Sequence, residues 1–302
     1  MRHSNLWRML LLVVLIALFF LLNLLLGSVA IPVDSIWNIL TEQGHEPVAW
    51  QNIVWKSRLP QALTALAAGA GLAISGLQMQ TVFRNPLAGP SVLGISSGAS
   101  LGVAFVILLS GSIGGVALSR LGVIGEIALS VAAIAGALSI MALIAYVSQK
   151  IKGSVTLLIV GVMIGYVATA IIGVLKFFSV EEDIRAYVIW GLGSFARVSG
   201  NQMMLFVLLM SILLPLSFLL IKTLNLLLLG DGYARNLGLN IKRARLLVIL
   251  SAGVLTAIVT AYCGPISFLG LAVPHLARAM FQTSDHRLLV PSSLLLGAGV
   301  AL

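Results

Sequence analysis

The chain has 302 residues and a net charge of +9, with 60% of its residues hydrophobic and only 9% charged. A soluble domain carries about 25% charged residues, so a water-soluble globule is excluded. Apolar runs of about 20 residues match the ~30 Å hydrocarbon layer, and the alternating ~10-residue segments of a transmembrane barrel are absent. The expected fold class is therefore all-α, a polytopic membrane helix bundle forming one domain over residues 1–302. A single cysteine, Cys263, rules out an internal disulfide and reads as a buried apolar thiol. The four histidines show no metal-ligand spacing, and no metal site is expected.

The first span is Leu6–Leu26, behind Arg2, His3 and Arg8. Its apolar run is too long for a signal-peptide core, and no clean small-residue cleavage site follows. Ala30–Leu59 is a polar stretch with Asp34, Glu42, His45, Glu46, Lys56 and Arg58, and Trp37, Trp50 and Trp55 suit an interfacial belt. The second span runs from Pro60, a favoured first-turn residue, to Phe83. Its many Ala, Gly and Ser residues predict a helix packed against protein. Gln78 and Gln80 near its end either bond across helices or line a path.

Arg84-Asn85-Pro86-Leu87-Ala88-Gly89-Pro90 then interrupts the apolar pattern. Each proline removes a backbone donor and disfavours helix in the preceding residue, so one helix ends near Arg84 and the next begins after Pro90. Gly94, Gly98 and Gly102 recur at four-residue spacing and leave one face bare for close packing. The third span is about Ser91–Leu109, followed by a Gly/Ser-rich loop, Gly111–Arg120. The fourth is Leu121–Val147, ending at Gln149-Lys150-Ile151-Lys152. The fifth is Ser154–Phe178, where Gly161, Gly165, Thr169 and Gly173 form a stripe that reads either as tight helix packing or as a pore-lining face.

Val180–Gly200 is polar, with a short interfacial helix expected near Tyr187–Phe195. The sixth span, Gln202–Leu220, leads into the polar region Lys222–Arg245. The seventh is Leu246–Cys263, broken by Gly264-Pro265. The eighth, Ile266–Met280, is short and holds Pro274 and His275; a structural histidine beside a helix break is its plainer reading. The ninth runs from Leu288 to Leu302.

With the N-terminus in the cytoplasm, inside loops hold 12 basic and two acidic residues (12 − 2 = +10), and outside stretches hold six basic and seven acidic ones (6 − 7 = −1). The two add to +9. This is the positive-inside pattern, and it makes a nucleic-acid partner unnecessary.

Three separated motifs now converge. The first is Arg58-Leu59-Pro60 with Gly69–Gly76, Gln80 and Arg84–Pro90, continuing to Gly94, Gly98 and Ala99. The second is Gly230 with Ala234-Arg235-Asn236-Leu237-Gly238. The third is Gly264–Arg278, with Asp285-His286-Arg287 beyond. Together they resemble the FecCD-type permeases, the membrane subunits of bacterial ABC importers for iron-siderophores, haem and cobalamin.

That resemblance implies a ten-helix fold in the bacterial inner membrane. It also implies a second permease subunit, two cytoplasmic ATPase subunits that bind ATP and Mg, and a periplasmic substrate-binding protein. This sequence stops within its ninth span, which implies either a truncated chain or an unusual subunit. Carried onto this sequence, Gly230, Ala234, Arg235, Leu237 and Gly238 would form the ATPase-coupling loop, and Arg58 with Lys56 would dock the binding protein. Gly161, Gly165, Thr169, Gly173 and Gln80 would line the path.

No Gly-x-x-x-x-Gly-Lys-Ser/Thr occurs, since no lysine follows a glycine, so the chain is not itself the ATPase and no enzyme activity or cofactor of its own is expected. The competing class, an ion-coupled secondary transporter, normally places ionisable groups at mid-membrane. Here no span has a clear central carboxylate; Glu126, close to a predicted helix end, is the nearest to one.

Overall fold

The structure is a computed structural model that describes residues 3–41, 46–114, 123–151, 153–198 and 200–302; Arg2, Glu42, His45, Arg120 and Lys152 lie outside the described residues. Fourteen α-helices follow one another among these residues: α1 (His3–Leu25), α2 (Val33–Thr41), α3 (Val48–Ile53), α4 (Leu59–Phe83), α5 (Ile95–Gly114), α6 (Val123–Lys150), α7 (Ser154–Phe177), α8 (Glu181–Gly191), α9 (Gly200–Phe218), α10 (Ile221–Leu228), α11 (Asp231–Asn236), α12 (Ile241–Cys263), α13 (Leu269–Phe281) and α14 (His286–Ala301). A π-helical turn, Val54–Arg58, joins α3 to α4, so helix is continuous well upstream of the expected start at Pro60.

The bundle is organised around α4. In the most apolar window of Val48–Phe83, 83% of residues are buried, and in α12 72%, against 11% in α1 and 22% in each of α6 and α7. The sequence explains the difference. Small side chains on α4 let neighbours approach its backbone, whereas α1, α6 and α7 present Leu, Ile and Val outward, as a lipid-facing or subunit-facing surface does. Helices α9, α12, α13 and α14 all lie against α4.

Among the described residues five helices are long and apolar enough to cross a membrane, and α9 with α10, a pair bent by 47°, makes a sixth if counted as one span; α5, α13 and α14 are shorter apolar helices. The nine expected spans therefore divide into long crossers and short segments. Pro274 lies inside α13, where it removes a helical donor; α13 itself follows the Gly264-Pro265 break.

Close backbone packing appears where the glycine spacing predicted it. A Cβ on Gly136 of α6 would fall 2.1 Å from the Gly98 carbonyl oxygen of α5, and one on Gly102 would fall 2.1 Å from the Ala132 carbonyl oxygen. Gly94 belongs to a different device. The short 3-10 turn Pro90–Leu93 comes first and Gly94, at φ +72°, ends it, so α5 begins at Ile95 rather than just after Pro90. Polar side chains in the core are tied across helices: Ser75 donates to the Ala252 carbonyl, and Gln78 Nε2 to Ser251 Oγ at 3.0 Å. Cys263 is buried.

Candidate functional site

The end of α4 is closed by paired backbone bonds, Asn85 N to the Gln80 carbonyl and Arg84 N to the Thr81 carbonyl. This arrangement requires a left-handed residue after the helix, usually glycine. Here it is Arg84, at φ +47°. The side chain reaches α11, where its Nη2 donates to Asp231 Oδ1 at 2.5 Å. The other carboxylate oxygen, Oδ2, accepts from Arg245 Nη2 on α12 at 2.7 Å. One carboxylate thus bridges α4, α11 and α12.

Asp231 opens α11 directly after Gly230, whose φ of +100° suits glycine. The helix presents Tyr233 (73% exposed) and Arg235 outward, and Leu237 (62% exposed), just past its end, faces out with them. Gly238, at φ +85°, turns the chain toward α12. Ala234, placed in the coupling loop from sequence, points inward: it is wholly buried and packs α11 onto the bundle. Tyr233 was missed from sequence, and its position one residue before Ala234 on a one-turn helix was the available signal.

A second tie holds α10 beneath this patch. Asn225 Oδ1 accepts from the His286 backbone N–H at 2.9 Å and meets Nδ1 of the ring at 2.8 Å. The other ring nitrogen, Nε2, lies 2.8 Å from the Thr81 hydroxyl of α4, which also reaches the Leu77 carbonyl at 2.8 Å. Asn225 Nδ2 donates to Asp285 Oδ1 at 2.7 Å, and the same oxygen accepts from Arg287 N at 2.9 Å. These bonds hold the Asp285 carboxyl below its ordinary pKa, the backbone bond from Arg287 contributing most and the Asn225 amide next. His275 has Nε2 2.8 Å from the Pro86 carbonyl, which can only accept, so the ring ties α13 to the turn after α4.

The expected path residues separate into two sets. Gly161 packs against the Pro90–Leu93 turn, where an added Cβ would fall 2.9 Å from Leu93 Cα, and Gly165 lies against Ser97 and Gly94. Thr169 is exposed and Gly173 has open space around its Cα. The stripe is therefore close packing at its first half and an open face at its second. Gln80 is corrected: it is buried, its Nε2 donates to the Leu271 carbonyl at 3.1 Å, and its Oε1 accepts from Arg278 Nη1 at 2.6 Å. Both ends of the amide are committed to α13.

Two of the three sequence motifs meet at the 90–93 turn. On one side, a cavity of about 210 Å³ is shared with Gly161, Gly165 and Thr169 of α7. On the other, one of about 200 Å³ is shared with Phe268 and Leu271. Phe268 has φ +63° and is 81% exposed. A bulky residue held left-handed costs about 1–3 kcal/mol, and such strain concentrates at working sites. Its side chain, invisible as special in the sequence, joins Thr169 and Gly173 as a candidate path residue.

Arg58 is also corrected. It is 6% exposed, and its guanidinium donates to the carbonyls of Leu24 and Leu25 in the last turn of α1 and of Val29 just beyond it. Its side chain is thereby committed to capping the end of α1. Lys56, two residues earlier, faces out.

Residues 14–302 match the model of the FecCD transport family. The chain belongs to that family. Over 301 residues it is 35% identical to the vitamin B12 import system permease protein BtuC of Serratia proteamaculans, covering 100% of this chain and 84% of that one. It is also 35% identical over 277 residues to the hemin transport system permease protein HmuU of Yersinia pestis, covering 90% and 78%. A solved structure described as an inward-facing conformation of a metal-chelate type ABC transporter superposes with a TM-score of 0.83 at 29% identity, covering 97% of this chain and 87% of that one. The family read from the three motifs and the helical permease fold are thereby both shown.

Proposed function

We propose that this chain is the membrane permease of an ATP-driven importer for a metal chelate or metallo-tetrapyrrole, of the siderophore, haem or corrinoid class. The observation that carries the reading is the superposition on a metal-chelate ABC transporter over 97% of the chain, supported by relatives that import vitamin B12 and hemin. Two ATPase subunits binding ATP and Mg dock in the cytoplasm on Tyr233, Arg235 and Leu237. A second permease subunit, most simply a copy of this chain, completes the path along the open half of the α7 stripe. A periplasmic binding protein docks near Lys56. The N-terminus lies in the cytoplasm, on the side the basic loops favour.

ATP binding moves the docked subunits, α11 moves with them, and the helices around the path alternate between its two openings. The chain's own contribution is mechanical: it holds the path and transmits the movement. The test is uptake into proteoliposomes containing the permease with its ATPase subunits and binding protein, offered ferric siderophore, haemin and cyanocobalamin in turn. ATP-dependent accumulation of one of them supports the reading and names the cargo. Accumulation of none, with all subunits assembled, contradicts it.

A further inference from the structure

We propose that Asp231 gears the coupling segment to the bundle, so that movement of α11 reaches α4 through Arg84 and α12 through Arg245. This rests on the permease reading and adds the route by which the signal leaves the docking patch.

The geometry supports a relay rather than a simple anchor. Ala234 alone could hold α11 down through apolar contact, since it is wholly buried. Asp231 adds a directional link: each carboxylate oxygen takes a different arginine, at 2.5 Å and 2.7 Å, one closing the end of α4 and the other standing on α12. Charge-assisted bonds are about twice as strong as neutral ones, an advantage that solvent reduces at exposed pairs.

The backbone at Arg84 makes the same point independently. A glycine would adopt φ +47° without strain, so what arginine adds at this position is its side chain, and that side chain ends on Asp231. Arg84 Nη1 also lies 4.0 Å from where a Cβ on Gly230 would stand, so the turn entering α11 is close to the same guanidinium. Arg84 therefore holds the end of the central helix and the start of the coupling helix together. The Arg84–Asp231 link is partly exposed, with side-chain exposures of 43% and 36%, and salt weakens it; the Arg245 arm, at 15%, is better shielded.

The test is hydrogen exchange read by mass spectrometry on the permease assembled with its ATPase subunits, nucleotide-free and with ATP trapped on hydrolysis-deficient subunits. The unmodified complex should change protection at residues 80–88 and 231–238 together. Asp231→Asn should keep the change at 231–238 and lose it at 80–88, Arg84→Gln should do the same, and Asp231→Glu should restore it. An Asp231→Asn complex that still responds at 80–88 overturns the inference. So does an unmodified complex that responds at 231–238 alone. If Asp231→Asn assembles poorly with the ATPase subunits while Arg84→Gln assembles and responds normally, the carboxylate is a docking group and the gearing role is overturned. A complex in which nucleotide alters neither segment overturns the permease reading itself.

Discussion

Thr81 and His286 lie 205 positions apart in sequence, yet the Thr81 hydroxyl stands 2.8 Å from Nε2 of the imidazole, with both residues buried. The other ring nitrogen meets Asn225, so three helices, α4, α10 and α14, meet on one side chain. Replacing Asn225 by alanine would strand the ring and the His286 backbone N–H without their partner. Leaving a buried polar group unpaired costs about 1–3 kcal/mol. Thermal unfolding in detergent should show Asn225→Ala clearly below the unmodified chain. An unchanged midpoint would mean that the network adds nothing.

The Asp285 carboxyl at the edge of that network titrates below its ordinary range in the folded protein. Its stabilising contribution is therefore fully present above the unfolded value, about 3.9, and is lost as pH falls through the lower folded value. Asp285→Asn should be less stable than the unmodified chain at neutral pH, with the difference shrinking below about pH 4. A constant gap at all pH values would show that shape, not charge, is what the side chain supplies.

Gly136 and Gly173 make opposite predictions for one substitution. An alanine Cβ at 136 would press on the Gly98 carbonyl, a backbone atom that cannot yield cheaply, and overpacking of this kind costs about 1–3 kcal/mol. At 173 the Cβ meets open space, and alanine is favoured in a helix by up to about 1 kcal/mol. Paired melting curves should move in opposite directions. A second copy of the chain packed tightly on α7 would reverse the sign at 173.

Phe268 separates strain from function. Phe268→Gly removes a left-handed phenylalanine that is mostly exposed, and should stabilise the protein by about 1 kcal/mol or more. Transport by the reconstituted complex should nonetheless fall several-fold, because the side chain facing the cavity is lost. Full transport with raised stability would assign Phe268 no part in the path.

Arg58 and Lys56 divide capping from docking. Arg58→Ala uncovers the carbonyls at the end of α1, and bonds from a charged donor are worth about 1.5–3 kcal/mol each, so the melting point should drop. Lys56→Glu should leave the melting point unchanged and weaken stimulation by the binding protein. The reverse pattern would restore Arg58 as the docking residue.

The helical class, the end of α4 near Arg84 and the break after Cys263 were legible in the sequence, because Pro and Gly act through local backbone sterics. The glycine contacts between α5 and α6 were half legible: spacing shows a bare face but not which helix covers it. The roles of Arg58 and Gln80 were not legible. Both sit where a charged or polar side chain reads as functional, and only tertiary packing brings the α1 carbonyls or α13 within reach. Ala234 and Tyr233 show the same limit on a six-residue helix, too short for periodicity to say which side faces inward.

Transport energised by partner ATPase subunits is the centre of this account, and the direct measurement is cargo accumulation in proteoliposomes with the energy source varied. Accumulation should require ATP, both ATPase subunits and the loaded binding protein, and should vanish when the exposed patch at the end of α11 is disrupted by Leu237→Asp. Accumulation driven by an ion gradient in the absence of the ATPase subunits would contradict it.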